Sequence, residues 1–136
     1  MNKNFMMLAA IVLLSVVAAP NLVYAHCQVP CGIYNDQARF TLMAEHITTI
    51  EKAMKKVEEL AKQKNVNYNQ VVRWVSNKEK HAEELSDIIT YYFMAQRLKP
   101  APASDKAKYS AYSTKLELLH HLLVYTMKAK QSTDQG

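Results

Sequence analysis

Residues 40–61 read FTLMAEHITTIEKAMKKVEELA, and their spacing decides the fold class. Phe40, Met43, Ile47, Ile50, Met54, Val57 and Ala61 recur at alternating steps of three and four, which lays one apolar stripe along one side of a helix. Glu51, Lys52, Lys55 and Glu58 fall off the stripe. From Asp36 onward no glycine occurs before Gly136, and the only prolines are Pro100 and Pro102. Helix breakers are therefore gathered in one place, and long helices are expected on both sides of it.

Working outward, Lys64-Asn65-Val66-Asn67 reads as a turn with Asn67 as the next N-cap. A second series, Tyr68, Val71, Val75, Ala82, Leu85, Ile89 and Tyr92, ends near Leu98 before the two prolines. Polar Lys78 and Glu79 interrupt it, so its middle turn is expected to be the weakest. A third series, Tyr109, Tyr112, Leu116, Leu119, Leu123 and Met127, follows Ser104, read as an N-cap; Ala107 three residues on completes no capping box. No strand-period segment and no internal repeat is found. Three such stripes joined by short turns predict an all-α, antiparallel helix bundle. Met43, Met54 and Met127 sit on the stripes and Met1, Met6 and Met7 precede them, so core filling rather than a methionine copper site is their reading.

The first twenty-five residues have a different character. Lys3 precedes an apolar run from Phe5 to Ala19, Pro20 breaks it, and Val23-Tyr24-Ala25 offers small residues at the −3 and −1 positions of a cleavage site. This is the layout of a secretory signal. Fifteen apolar residues rise only about 22 Å as a helix, short of the roughly 30 Å hydrocarbon core, so no stable membrane anchor is expected after processing. Residues 1–25 are thus read as a signal peptide, 26–35 as a short functional segment and 36–136 as one helical bundle domain, in an exported protein, periplasmic or extracellular. Cleavage removes one charged side chain and lowers the formal charge from +5 to +4, a modest positive field that suits a small anionic substrate. Basic residues are not interleaved with aromatics as on a nucleic-acid surface, so no nucleic-acid partner is expected.

Residues 26–34, His-Cys-Gln-Val-Pro-Cys-Gly-Ile-Tyr, hold both cysteines of the chain. Cleavage after Ala25 would put five donors within six residues: the new α-amine, the His26 imidazole, the Cys27 amide nitrogen and the thiolates of Cys27 and Cys31. Such a set favours a redox-active late transition metal over calcium or magnesium, which take oxygen ligands. The competing reading is a disulfide, ordinary for two cysteines in an exported protein. A loop that short at a terminus would staple nothing to the core. A dithiol exchange site usually has two intervening residues, whereas three lie here, one of them Pro30.

The segment His26-Cys27-x-x-Pro30-Cys31-Gly32-x-Tyr34 resembles the nickel-binding hook of the nickel-dependent superoxide dismutase family. The resemblance continues through Gln37-Ala38-Arg39, Lys78-Glu79-x-x-Ala82-Glu83, Tyr92-Phe93 with Lys99-Pro100, and Ala129-Lys130-x-Ser132-Thr133-Asp134. It implies a nickel cofactor, superoxide as substrate and a homohexamer. It further implies a planar ligand set of the His26 amine, the Cys27 amide nitrogen and sulfur, and the Cys31 sulfur, with the His26 imidazole axial in the oxidised state. Pro30 would carry the family's cis peptide and Gly32 a close backbone approach. Catalytic roles are implied for His26 and for Tyr34, which would stand over the open face and organise water; the alternative for Tyr34 is an aromatic anchor for the hook. Dismutation needs a metal potential between its two half-reactions, and thiolate and amide donors lower nickel's into that range.

The sequence departs from the family at several points. Gln28 stands where an acidic residue is common, and His81 where a basic residue, often arginine, supports the site. His81 is then either a partner of the His26 imidazole or a surface helical histidine. Thr41 falls where an acidic partner of His26 is expected, with Glu45 one turn further. The family's chains continue beyond the Ser-Thr-Asp turn into a fourth helix, whereas this sequence stops at Gly136, which predicts an apolar groove beside three helices. Glu117-x-x-His120 has di-iron spacing, but a ferritin-like centre needs two such elements. The rival function is an exported, non-enzymatic helical protein that binds metal or carries a disulfide.

Overall fold

The computed structural model describes residues 34–134. Helix α1 spans Asp36–Ala61, α2 spans Tyr68–Asp87 and continues without a break into a π-helical segment, Ile88–Arg97, and α3 spans Lys106–Gln131. No strand occurs among the described residues, and none of the helices is long and apolar enough to cross a membrane.

Each start is capped by a side chain. Asn35 accepts from the Ala38 amide at 2.9 Å and Asn67 from the Gln70 amide at 3.2 Å, satisfying amides that the first helical turn leaves without partners. For α3 the expected cap was Ser104, and the structure moves it one residue on to Asp105, which accepts from the Lys108 amide at 3.2 Å. The reason is charge. The Asp105 carboxylate caps the helix and also meets the Lys108 ammonium at 2.9 Å, and both contacts hold its pKa below the usual value; a serine hydroxyl can cap but carries no charge to meet the ammonium.

The order of contacts fixes the topology. Asp36 at the start of α1 meets Arg97 at the far end of the π segment, and His46 meets His81 further along, so these two rods run antiparallel. Lys78 in the middle of α2 meets the end of α3, while Phe93 and Leu98 further along lie beside Leu118 and Leu119 earlier in α3, which makes the second pair antiparallel as well. The core is built from Met43, Ile50 and Met54 of α1, Ala82 and Leu85 of α2, and Ile89, Tyr92 and Phe93 of the π segment. Ala53 and Ala82 are fully buried, and their small side chains let α1 and α2 lie close together.

The middle of α2 is the reverse of weak. Lys78 is only 3% exposed, and its ammonium donates to the carbonyls of Ala129 at 2.6 Å, Lys130 at 2.7 Å and Ser132 at 3.1 Å. A cation there satisfies carbonyls that the last turn of α3 leaves free and sits at the negative end of its dipole. Glu79 lies 3.5 Å away and balances part of the buried charge.

Met127, expected on the core stripe of α3, is 51% exposed. Leu119 and Leu123 of the expected line do pack against the core, but they are joined there by Leu122, Thr126 and Ala129, so the inward face is turned away from Met127. This rotation follows from α3 packing against α2 and the π segment rather than against α1. Between α1 and α3 an apolar groove runs past Phe40, Met43 and Phe93 to Leu118, Leu119 and Leu122, and continues past Ile47 and Met54 to Tyr125 and Ala129.

Candidate metal centre

The proposed ligands His26, Cys27 and Cys31, with Gln28, Pro30 and Gly32, lie outside the described residues, as does the cleavage point after Ala25. The described residues begin at Tyr34, which follows residues 26–33 directly in the sequence.

Tyr34 is pinned from two sides. The guanidinium carbon of Arg97 lies 4.4 Å from its ring centre, within range of cation–π attraction. The Tyr92 ring meets it at 6.1 Å with an interplanar angle of 75°, the edge-to-face arrangement aromatic quadrupoles prefer. The ring is still 41% exposed. It is therefore anchored to the bundle and open to solvent at once, which accommodates both roles that the sequence left open for it.

Asp36 organises this cluster. It accepts from Arg97 Nε at 2.9 Å and Arg97 Nη2 at 2.8 Å, one bond to each carboxylate oxygen, and from the Tyr92 hydroxyl at 2.8 Å. The Arg97 bonds, then the Tyr92 bond, hold the Asp36 carboxyl below the usual range. Burial, and then the Asp36 carboxylate, push the Tyr92 phenol up. Tyr92 thus stays a protonated donor and Asp36 an anion at neutral pH. Arg39 lies 5.0 Å from the Tyr92 ring centre on α1. Two guanidiniums against one carboxylate leave the surroundings of Tyr34 net positive, a field that draws a small anion.

The π winding makes this cluster possible. Residues five apart on an α-helix point about 140° away from each other; the wider turn of i→i+5 bonding brings them to the same side of the rod. The Leu98 amide bonds to the Phe93 carbonyl at 2.8 Å in that pattern. Tyr92 and Arg97, five residues apart, can therefore both face Asp36. The sequence placed Tyr92 on the second apolar stripe and, with Phe93, among the points of resemblance, but it assigned no role to Asp36 or Arg97. The signal available for Asp36 was an acid in the first turn of a helix; nothing local marked Arg97.

The remaining candidates fall elsewhere. Thr41 is exposed and donates to the Gln37 carbonyl at 3.0 Å on its own helix. His81 is half-buried, and its Nδ1 lies 2.9 Å from Nδ1 of His46. Burial, foremost, lowers the His46 pKa, with Glu84 opposing and His81 adding to the shift. His120 and His121 are exposed on α3 with ring centres 6.3 Å apart, and Glu117 is exposed as well. Among the described residues Glu117-x-x-His120 forms no metal cluster; the only group with metal-binding geometry is His46, His81 and Glu84.

The side chains present in residues 26–31, one imidazole and two thiols, suit a late transition metal such as nickel and not a hard cation. No curated protein and no solved structure matches the chain significantly. The family model described as nickel-containing superoxide dismutase matches residues 21–136, a span that takes in the cysteine segment, the Tyr34 cluster and all three helices. By that match the chain belongs to the nickel-containing superoxide dismutase family, making it an oxidoreductase with a nickel cofactor.

Proposed function

We propose that the protein disproportionates superoxide at a nickel centre held by His26, Cys27 and Cys31 in an N-terminal hook that export processing completes. Two superoxide ions and two protons give one dioxygen and one hydrogen peroxide. Nickel, when bound, supplies the electron store between the two halves by alternating between its divalent and trivalent states. The α-amine of His26 must be free to act as a donor, so removal of residues 1–25 is the activating step. The observation that carries this reading is the clamping of Tyr34 by Arg97 and Tyr92, three residues beyond Cys31, because it fixes the end of the hook against a positively charged floor.

From that floor the roles of the chain's own residues follow. Arg39 and Arg97 attract the anionic substrate. Tyr34, anchored yet exposed, stands over the open face, limits access to small molecules and orders the water that delivers protons. Asp36 keeps Arg97 and Tyr92 in place without itself exchanging a proton. In the assembled protein a neighbouring subunit of a hexamer covers the apolar groove between α1 and α3, where Phe40 and Leu118 are exposed.

The test is metal analysis with spin resonance on the processed protein, together with superoxide removal by Cys27→Ser and Cys31→Ser variants and sequencing of the mature terminus. One nickel per chain, a His26 terminus and loss of activity in both variants are expected. Full activity in either variant would sink the proposed centre.

A further inference from the structure

We infer that His46, His81 and Glu84 form a second cation site, with ligands other than the three proposed for the N-terminal hook, which takes a divalent metal of the zinc type and clips α1 to α2. The three donor atoms already face one space. His46 Nδ1 and His81 Nδ1 are 2.9 Å apart, and Glu84 Oε2 lies 3.5 Å from the first and 3.6 Å from the second. A point equidistant from atoms so spaced lies about 1.95 Å from each, close to the roughly 2.0–2.2 Å of zinc–imidazole and zinc–carboxylate bonds. The site therefore needs almost no movement to close on an ion.

Without an ion the two rings make one hydrogen bond through their Nδ1 atoms. Two neutral imidazoles can share only one proton between facing Nδ1 atoms, while the carboxylate oxygen of Glu84 looks onto the same gap. A divalent cation satisfies all three acceptors together. Two imidazoles and one carboxylate suit late first-row metals and not calcium or magnesium. Glu84 is exposed enough to leave room for water as a fourth ligand, and its other oxygen is 3.8 Å from Lys80, which orients the carboxylate. Spacing along the helix puts His81 roughly 15 Å from Tyr92, so the site lies well away from the tyrosine–arginine floor. His46 is on α1 and the other two are on α2, which makes a bound ion a cross-link between the two rods.

The hook also has zinc-binding donors, so the experiment removes its two thiols first. Zinc is titrated calorimetrically into the processed full chain carrying Cys27→Ser and Cys31→Ser, with and without His81→Gln or Glu84→Gln. One equivalent is expected in the parent, accompanied by a rise in melting temperature. Each added substitution should weaken binding at least about tenfold, since even residues behind a metal ligand are worth that much. Circular dichroism and melting of the metal-free variants show whether they fold. Absence of zinc binding in the parent overturns the proposal, and so does binding that survives in folded His81→Gln, which would assign the ion to other groups such as His120 and His121. Loss of nickel activity in the Cys variants bears on the hook alone, so the two readings fail separately.

Discussion

The guanidinium of Arg97 lies 4.4 Å from the ring centre of Tyr34 while its edge is locked to Asp36 by two hydrogen bonds. One arginine thus connects the first turn of α1, the end of the π segment and Tyr34. Lysine can supply the charge but neither the fork nor the flat stacking surface. Arg97→Lys should therefore fold and bind nickel yet remove superoxide about two- to fivefold more slowly, the size expected for losing one exposed cation–π contact. Stopped-flow decay of superoxide checks this, and an unchanged rate would mean that the placement of Tyr34 does not limit turnover.

Tyr34 itself separates its two roles by substitution. Tyr34→Phe keeps the ring between Arg97 and Tyr92, so nickel content should be retained while turnover falls through loss of the hydroxyl. Tyr34→Ala removes the anchor as well and should lower nickel content. Equal nickel loss in both variants would contradict the division.

Acid should weaken the fold through Asp36. Its pKa is lowered in the folded chain by Arg97 first and Tyr92 second, so the carboxylate's stabilisation is complete above its ordinary value of 3.8 and is lost as pH falls through the lower, folded value. The melting-temperature gap between the parent and Asp36→Asn should be flat from neutrality down to about pH 5 and shrink below about pH 4. A gap that persists undiminished at lower pH would show that the charge of Asp36 is not what it contributes.

Lys78→Met keeps the apolar stem but strips three carbonyls at the end of α3 of their donor. A cost of about 1–3 kcal/mol is expected, the usual penalty for leaving buried polar groups unmatched. Amide exchange localises it: protection should be lost in the last turn of α3 and kept at the centre of α1.

Ile89 is fully buried where α1, the π segment and α3 converge. Ile89→Ala should destabilise by about 2–5 kcal/mol, combining lost transfer energy with the cavity left behind. Urea unfolding with an unchanged slope measures it; a loss below about 1 kcal/mol would mean that the cluster collapses to fill the space.

Much of this was legible locally. The 3–4 spacing from Phe40 to Ala61, the Asn67 cap and the stop before Pro100 are short-range signals, and each has its counterpart in the structure. The cap of α3 shifted because choosing between Ser104 and Asp105 depends on which also meets Lys108. Lys78 was misjudged because polarity on a stripe looks like an interruption until the carbonyls of another helix are known to end there.

The sequence by itself determined that the chain is helical, where the breaks between helices fall to within a residue or so, and that two thiols and a histidine precede Tyr34. These depend on residue spacing and donor chemistry, which act over a few residues. Only the tertiary structure decided that Asp36 meets Arg97, that Lys78 closes α3, that α3 turns Met127 outward, and that His46 faces His81. Each of those pairings depends on the rotation and register of one rod against another, which are set by the summed packing of Ile89, Leu85, Met54 and their neighbours, and no stretch of sequence carries that sum alone.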